Sequence, residues 1–106
     1  MYDVEKVRAL NDEFRKTMQG GRVMVTQGVS GLPNIVAILE RVKHYEDFDA
    51  RNDPHQEHDF GSFTHAGQLI FFKLDYYDAD LMNSSPDPTD VAVTTRVMTI
   101  MLAEEY

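Results

Sequence analysis

The segment QLIFFKLDYY, residues Gln68–Tyr77, constrains the fold more than any other part of this chain. Its even-numbered positions are Ile70, Phe72, Leu74 and Tyr76, and its odd-numbered positions include Leu69, Phe71, Lys73 and Asp75. Because consecutive side chains of a strand point to opposite faces, this alternation predicts a β-strand whose even-numbered face is buried. Phe60–His65 precedes it across Ala66-Gly67, so the two segments together predict a β-hairpin.

A first helix is predicted near the start of the chain. Asp3 is suited to the N-cap position, and the apolar residues that follow it are spaced three and four apart. These apolar residues are Val7, Leu10, Phe14 and Met18. The pair Gly20-Gly21 is expected to end the helix with a left-handed C-cap.

A short strand and a second helix are predicted between the first helix and the hairpin. Residues 22–26 (RVMVT) are rich in β-branched side chains, which favours a strand. The second helix is expected to begin near Ser30 or Pro33 and to end around Asp47. Its buried stripe would be Ile35, Ile38, Leu39 and Val42.

The C-terminal segment, residues 91–106, has two possible structures. Val93, Val97, Ile100 and Met101 have helical spacing, and Thr89 or Asp90 would supply the N-cap. Threonine and valine favour a strand, whereas the length, the cap and the Ala-Glu-Glu ending favour a helix. We therefore predict a helix here, with a strand as the alternative.

The predicted element order is helix, strand, helix, strand, strand, helix. This order indicates an α+β fold in which helices pack on a small, mainly antiparallel sheet. The chain has 106 residues, of which 42% are hydrophobic, and this suffices for one core. We therefore predict a single domain over residues 1–106.

Composition excludes several classes of function. The formal net charge is −8 and only ten residues are Lys or Arg, which disfavours direct binding to nucleic acid. The chain has no cysteine, which excludes disulfides, thiolate zinc sites and a cysteine nucleophile. No signal-peptide pattern and no apolar run of membrane-spanning length is evident, so we expect a cytoplasmic protein without a membrane partner. The sequence predicts no particular oligomeric state.

Several segments together resemble a known family. They are residues 10–15 (LNDEFR), 20–23 (GGRV), 52–61 (NDPHQEHDFG), 72–78 (FKLDYYD), 84–90 (SSPDPTD) and 96–106 (RVMTIMLAEEY). In this order the segments resemble a family of small bacterial proteins that is catalogued only as a domain of unknown function. Phe72 stands where that family more often has Trp, and Ser84 replaces its usual glycine.

The resemblance implies no assigned chemistry for this chain. It does imply an association with plasmids, phages and integrated elements, because members resemble the cargo of such mobile genetic elements. Small acidic proteins of mobile elements often act by binding host machinery. The resemblance therefore directs attention to protein partners in the host.

Three of the four histidines lie in NDPHQEHDFGSFTH, residues 52–65. His55 and His58 are candidate metal ligands, and Glu57 and Asp59 would project to one side of an extended stretch. Together Glu57, His58 and Asp59 form a candidate polar site, either for a metal or for acid/base catalysis. In the structural alternative Asp53 caps a turn around Pro54, and His58 or Asp59 bonds backbone groups where the hairpin begins. The spacing matches no helical metal signature, so no cofactor is expected.

Acidic residues are concentrated in two segments that flank the hairpin. The first acidic segment, residues 46–59, has six acids and one base, and the second, residues 75–90, has five acids and no base. Eleven of the eighteen acids are therefore in these two segments. We predict that they form one negative surface that binds a protein partner with a basic surface. Its predicted residues are Asp47, Asp49, Asp53, Asp78, Asp80, Asp87 and Asp90.

This surface leads to our main functional hypothesis, a non-enzymatic binding protein that inhibits a host complex handling nucleic acid, such as a defence system. The carboxylates would then mimic nucleic-acid phosphates. The alternative hypothesis is a metal-binding protein or a small metal-dependent enzyme that uses residues 55–59. Simple solvation of acidic loops is the structural explanation for the same charge pattern.

Overall fold

The computed structural model describes residues 3–106 and contains helices on one face of a sheet. The helices are α1 (Val4–Thr17), α2 (Gln27–Ser30) and α3 (Ile35–Lys43), and a 3-10 turn follows at Ala103–Glu105. The strands are β1 (Gly21–Val25), β2 (Phe60–His65), β3 (Gln68–Tyr77) and β4 (Thr95–Leu102). The sheet order is β1-β4-β3-β2, in which β1 and β4 are parallel and the other pairs antiparallel. The predicted α+β class with a mainly antiparallel sheet is confirmed.

The hairpin has the predicted bounds. Ala66 and Gly67 both have positive φ, 52° and 77°, which suits the right-handed twist of a two-residue turn. The even-numbered face of β3 is buried, since Ile70, Phe72 and Leu74 are at most 4% exposed. This face packs with β4 against α1 and α3, so the alternation in β3 correctly predicted the core.

The predicted C-terminal helix is wrong, because Thr95–Leu102 forms strand β4. This strand lies between β1 and β3 and pairs with both, so its backbone groups are bonded on two sides. Met98 and Ile100 are buried under the helices, and Met101 on the opposite face is only 3% exposed. The even-numbered residues of β4 are buried and the odd-numbered ones before Met101 are half-buried, but arginine stands among the buried residues and valine among the half-buried ones. The residue types therefore do not alternate as they do in β3, which explains the misleading pattern. Thr89 and Asp90 therefore precede no helix.

The helix ends agree with the predictions only in part. Asp3 caps α1 as predicted, because its Oδ1 accepts a hydrogen bond of 3.2 Å from the Lys6 amide. The left-handed C-cap of α1 is Met18, with φ of 59°, and not the glycine pair. Gly21 instead belongs to β1, where a Cβ would lie 2.5 Å from the Arg96 carbonyl oxygen, so the close approach of β1 to β4 requires glycine.

The second predicted helix corresponds to α3, which is shorter than expected, and the short helix α2 precedes it. Thr26 is not the end of the strand but the N-cap of the short helix α2. Helix α3 begins after Asn34, whose side chain caps it, and ends at Lys43 rather than near Asp47. A long connection without regular structure, residues 44–59, then leads to β2. Within residues 3–106 no helix is long and apolar enough to cross a membrane.

Candidate functional site

Helix α1 anchors the end of α3 through a buried arginine. Arg15 is only 2% exposed, and its Nη1 donates to the carbonyl oxygens of Val42, Lys43 and Tyr45 at 3.0–3.1 Å. Its Nη2 donates to Asp12 Oδ1 at 3.0 Å. A cation at the last carbonyls of a helix is favourable because these groups lack intrahelical partners and carry the negative end of the helix dipole. This contact sets where the first acidic segment leaves α3.

His58 fastens the first acidic segment to α1. Its Nδ1 lies 2.9 Å from Asp12 Oδ1, and its ring stacks on Phe48 with a centroid distance of 4.0 Å. The His58 backbone amide donates to Asp53 Oδ1 at 3.0 Å, while its Nε2 lies 3.7 Å from Asp53 Oδ2. Asp53 therefore caps the turn, as the structural alternative predicted. The imidazole bonds a side chain of α1 rather than the backbone groups expected in that alternative.

The other histidines serve different parts of the molecule. His55 is exposed on the loop. His65 Nε2 lies 2.8 Å from the Pro33 carbonyl oxygen, and His44 Nε2 lies 3.2 Å from Glu40 Oε2. In the part of the chain that the structure describes, no three His, Cys, Asp or Glu residues are arranged to hold a metal ion. The candidate ligands His55 and His58 therefore do not gain the further ligands that a metal site would need.

Glu57 belongs to a buried polar group that the sequence did not predict. We call Asn11, Glu57, Tyr76 and Arg96 the Arg96 network; Tyr76 is half-buried and the other three are at most 6% exposed. Tyr76 Oη donates to Glu57 Oε1 at 2.6 Å. Asn11 Nδ2 donates to Tyr76 Oη at 2.7 Å and to the Glu57 carbonyl oxygen at 3.0 Å. Arg96 Nε donates to Asn11 Oδ1 at 2.8 Å, so both the nitrogen and the oxygen of the Asn11 side-chain amide are hydrogen-bonded.

The Arg96 network extends to the second acidic segment. Arg96 Nη2 donates to the Pro88 carbonyl oxygen at 2.6 Å, and its guanidinium lies 5.3 Å from the centre of the Tyr76 ring. Burial lowers the pKa of Arg96, while Tyr76 and Glu57 act in the opposite direction. Burial and the hydrogen bond to Glu57 raise the pKa of Tyr76. The tyrosine is therefore a neutral donor, which suits positioning rather than proton transfer.

The sequence carries one signal of this network, which is a polar residue on the apolar stripe of α1. Asn11 is completely buried and lies four residues after Val7 and three before Phe14, so it occupies the apolar stripe of α1. A polar residue on a buried stripe needs partners, because an unpaired buried amide is costly. The interrupted stripe predicts that partners exist but not which residues they are.

The two acidic segments meet at a groove at the end of β3. We call it the Asp59 groove; its cavity volume is about 480 Å³, and its lining residues are Asp59, Leu74, Asp75, Tyr76, Tyr77, Ser84, Ser85, Pro86 and Pro88. Burial raises the pKa of Asp59, and the nearby charges of Glu57 and Asp53 raise it further. Asp75 Oδ2 lies 2.8 Å from Lys73 Nζ. The groove therefore carries carboxylates from both segments, and none of the described residues that line it is basic.

The predicted acidic surface is only partly exposed. Asp47, Asp49, Asp80 and Asp90 are exposed, and Asp78 and Asp87 are half-buried. Asp53 is 5% exposed, so its inclusion in this surface is wrong: its carboxylate is turned inward to cap the His58 turn. The acids also meet basic residues of α1, since Lys6 lines a surface pocket with Asp87 and Asp90, and Arg8 lines another with Asp49.

Hydrogen bonds within the loops hold three of these carboxylates. Asp49 accepts from the side chain and the backbone amide of Arg51, Asp78 accepts from the Met82 amide, and Asp87 accepts from both the hydroxyl and the amide of Thr89. These bonds lower the pKa of each carboxyl group below its ordinary value. The three groups are therefore ionised and oriented at neutral pH.

These features define a small α+β protein in which a buried polar network holds two acidic loops against one helix and one sheet. Comparison with family models matches residues 25–105 to the family described as "Protein of unknown function (DUF3768)". The chain belongs to this family, which confirms that the resemblance to a domain of unknown function was correct. No curated protein and no solved structure matches the chain.

Proposed function

We propose that this protein is a non-enzymatic binding protein whose two acidic segments engage the basic surface of a protein partner. One observation carries the proposal: segments that are distant in the sequence border the same groove, and three of their carboxylates are held ionised by their own loops. Oriented charges on ordered loops lose little side-chain entropy when a partner binds, unlike charges on free side chains.

The charge balance supports a basic partner. The chain carries a net charge of −8, and complementary potentials raise the association rate and exclude partners of like charge. On the resemblance to proteins of mobile elements, we propose that the partner is a host complex that handles nucleic acid, such as a defence complex. Its phosphate-binding surface would accept the carboxylates in place of nucleic acid.

The experiment is a pull-down from bacterial lysate with the full chain, followed by affinity measurement with the recovered partner. The test variant is Asp47→Lys with Asp80→Lys, because both residues are exposed and neither side chain caps a turn. The matched control is Glu13→Lys with Glu104→Lys, which makes the same change in net charge at exposed sites outside the two segments.

We expect the test variant to weaken binding at least about tenfold, mainly by slowing association, and to flatten its dependence on salt. The control variant should bind as the original protein does, apart from a small effect of total charge. If both variants retain the same affinity and the same salt dependence as the original protein, the acidic segments are not the binding surface.

A further inference from the structure

The Asp59 groove has the chemistry of a receptor for one basic side chain. We propose that this groove binds a lysine or arginine side chain of the partner, with Asp59 as the group that pairs with the cation. The inference rests on the proposed function and deepens it, because it names the place on the acidic surface where a single partner residue would be inserted.

The walls of the groove are held from behind by the Arg96 network. Tyr76 is fixed through its hydroxyl by Asn11 and Glu57, and the Pro88 carbonyl is fixed by Arg96. The opposite wall is tied to β3, because the Ser85 amide donates to the Tyr76 carbonyl oxygen at 3.0 Å. Because hydrogen bonds already hold these walls, the groove needs little rearrangement when a ligand binds.

The lining residues favour a cation on an apolar stem. Pro86 offers exposed apolar surface, and the largely buried Leu74 and Pro88 complete the wall. Tyr77 offers an aromatic ring, whereas the ring of Tyr76 already lies beside the Arg96 guanidinium. Lysine and arginine both carry a charged head on an aliphatic stem, and the head is attracted to aromatic faces as well as to carboxylates. A bare metal ion fits less well, because only two carboxylates line the groove and residues 3–106 contain no metal-holding cluster.

Asp59 supplies a carboxylate that is open to a new partner. It is half-buried, and among the described residues no side chain donates a hydrogen bond to it. The charges of Glu57 and Asp53 make its surroundings negative, so an incoming cation would be attracted and would favour the ionised form of Asp59. His55 acts in the opposite direction, but it is exposed and does not line the groove.

The test is an NMR titration of the isotopically labelled full chain with the blocked tripeptide acetyl-Gly-Arg-Gly-amide. The matched probe is the same peptide with citrulline, which has nearly the same shape but no charge. We expect the arginine peptide, and not the citrulline peptide, to shift the amide signals of Asp59, residues 74–77 and residues 84–88. The lysine peptide should shift the same signals.

Two variants identify the pairing group. Asp59→Asn should weaken binding of the arginine peptide about tenfold, whereas Glu104→Gln, an equal loss of charge at an exposed site outside the groove and both acidic segments, should not. Tyr77→Leu keeps an apolar wall but removes the ring, and it should weaken binding severalfold. Unchanged signals away from the groove would show that each variant retains the fold.

The outcomes separate this inference from the proposed function. If the shifts spread over the exposed acids and Glu104→Gln weakens binding as much as Asp59→Asn, the peptide responds to total charge and the groove is not a specific site. If the citrulline peptide shifts the groove signals equally, charge pairing at Asp59 is refuted. Failure of the proposed function would instead appear in the pull-down, as equal behaviour of the lysine variants and their control.

Discussion

Replacing Asn11 with alanine should destabilise the protein strongly. The side chain is completely buried and makes three hydrogen bonds, to Tyr76 Oη, to the Glu57 carbonyl oxygen and from Arg96 Nε. A buried hydrogen bond between neutral groups contributes about 1 kcal/mol and one to a charged group about 1.5–3 kcal/mol, and partners left unpaired add to the loss. We therefore expect the free energy of unfolding to fall by about 3–5 kcal/mol, a large part of the ~5–15 kcal/mol of a typical domain.

Urea denaturation followed by far-UV circular dichroism measures this loss. For small proteins the denaturant slope in urea is about 1–3 kcal/mol/M, so the midpoint should fall by at least about 1 M. Glu13→Ala is the matched control, because it places alanine at an exposed position of the same helix and should change the free energy by less than about 0.5 kcal/mol. If Asn11→Ala is no more destabilising than this control, the buried network does not hold the fold together.

A double-mutant cycle tests whether Asn11 and Arg96 act together. Arg96→Met removes the cation that reaches both Asn11 and the Pro88 carbonyl oxygen while keeping an apolar stem. Because each single change already breaks the shared bond, the double variant should lose at least about 1 kcal/mol less than the sum of the single losses. Strict additivity would contradict a direct coupling between the two residues.

The remaining predictions concern the sheet, the loops and pH. Gly21→Ala should lower the melting temperature by several degrees, since a Cβ would collide with the backbone of β4, whereas Gly31→Ala, whose nearest contact is 3.6 Å away, should have little effect. His58→Ala should speed amide hydrogen exchange in the first acidic segment, and His55→Ala, at an exposed loop position, should leave it unchanged. Asp87→Asn should lower the free energy of unfolding at pH 7. Hydrogen bonds within the loop lower the pKa of Asp87 in the folded protein, so its ionised form stabilises the fold above about pH 4. This contribution is lost on acidification. Urea midpoints of the variant and the original protein should therefore converge near pH 2, and a constant difference at all pH values would refute this assignment.

Local patterns predicted the elements whose partners are close in sequence. The alternation in β3 and the two-residue turn at Ala66-Gly67 specify a hairpin by themselves, and the observed strands have the predicted ends. The Asp3 cap and the apolar spacing likewise identified α1. These elements are determined by side-chain periodicity and turn geometry, which are properties of adjacent residues.

Strand β4 was mispredicted because its conformation depends on distant pairing. Its register runs from Gly21 opposite Arg96 in the parallel pair to Ile70 opposite Leu102 in the antiparallel pair. Neither neighbour is visible in residues 95–102, whose apolar positions also fit a helix. Bonding on both edges favours the strand over the local preference that suggested a helix.

The candidate site was predicted in its location but not in its organisation. The sequence directed attention to residues 57–59, and these three residues take separate roles: Glu57 in the Arg96 network, His58 on Asp12, and Asp59 at the groove. Segments that carried the family resemblance meet here, since Asn11, Glu57, Tyr76 and Arg96 each come from a different one. Side-chain directions and long-range contacts are needed to see this.

The sequence alone determined the hairpin, the first helix, the negative charge and the clustering of acids on either side of the hairpin, because these depend on composition and on neighbouring residues. The tertiary structure decided that residues 95–102 form the central strand, that Asp53 faces inward and that Asp59 faces a groove. The physical reason is the same in each case: a buried backbone or polar group adopts the arrangement that satisfies its hydrogen bonds, and its partners lie far away in the chain.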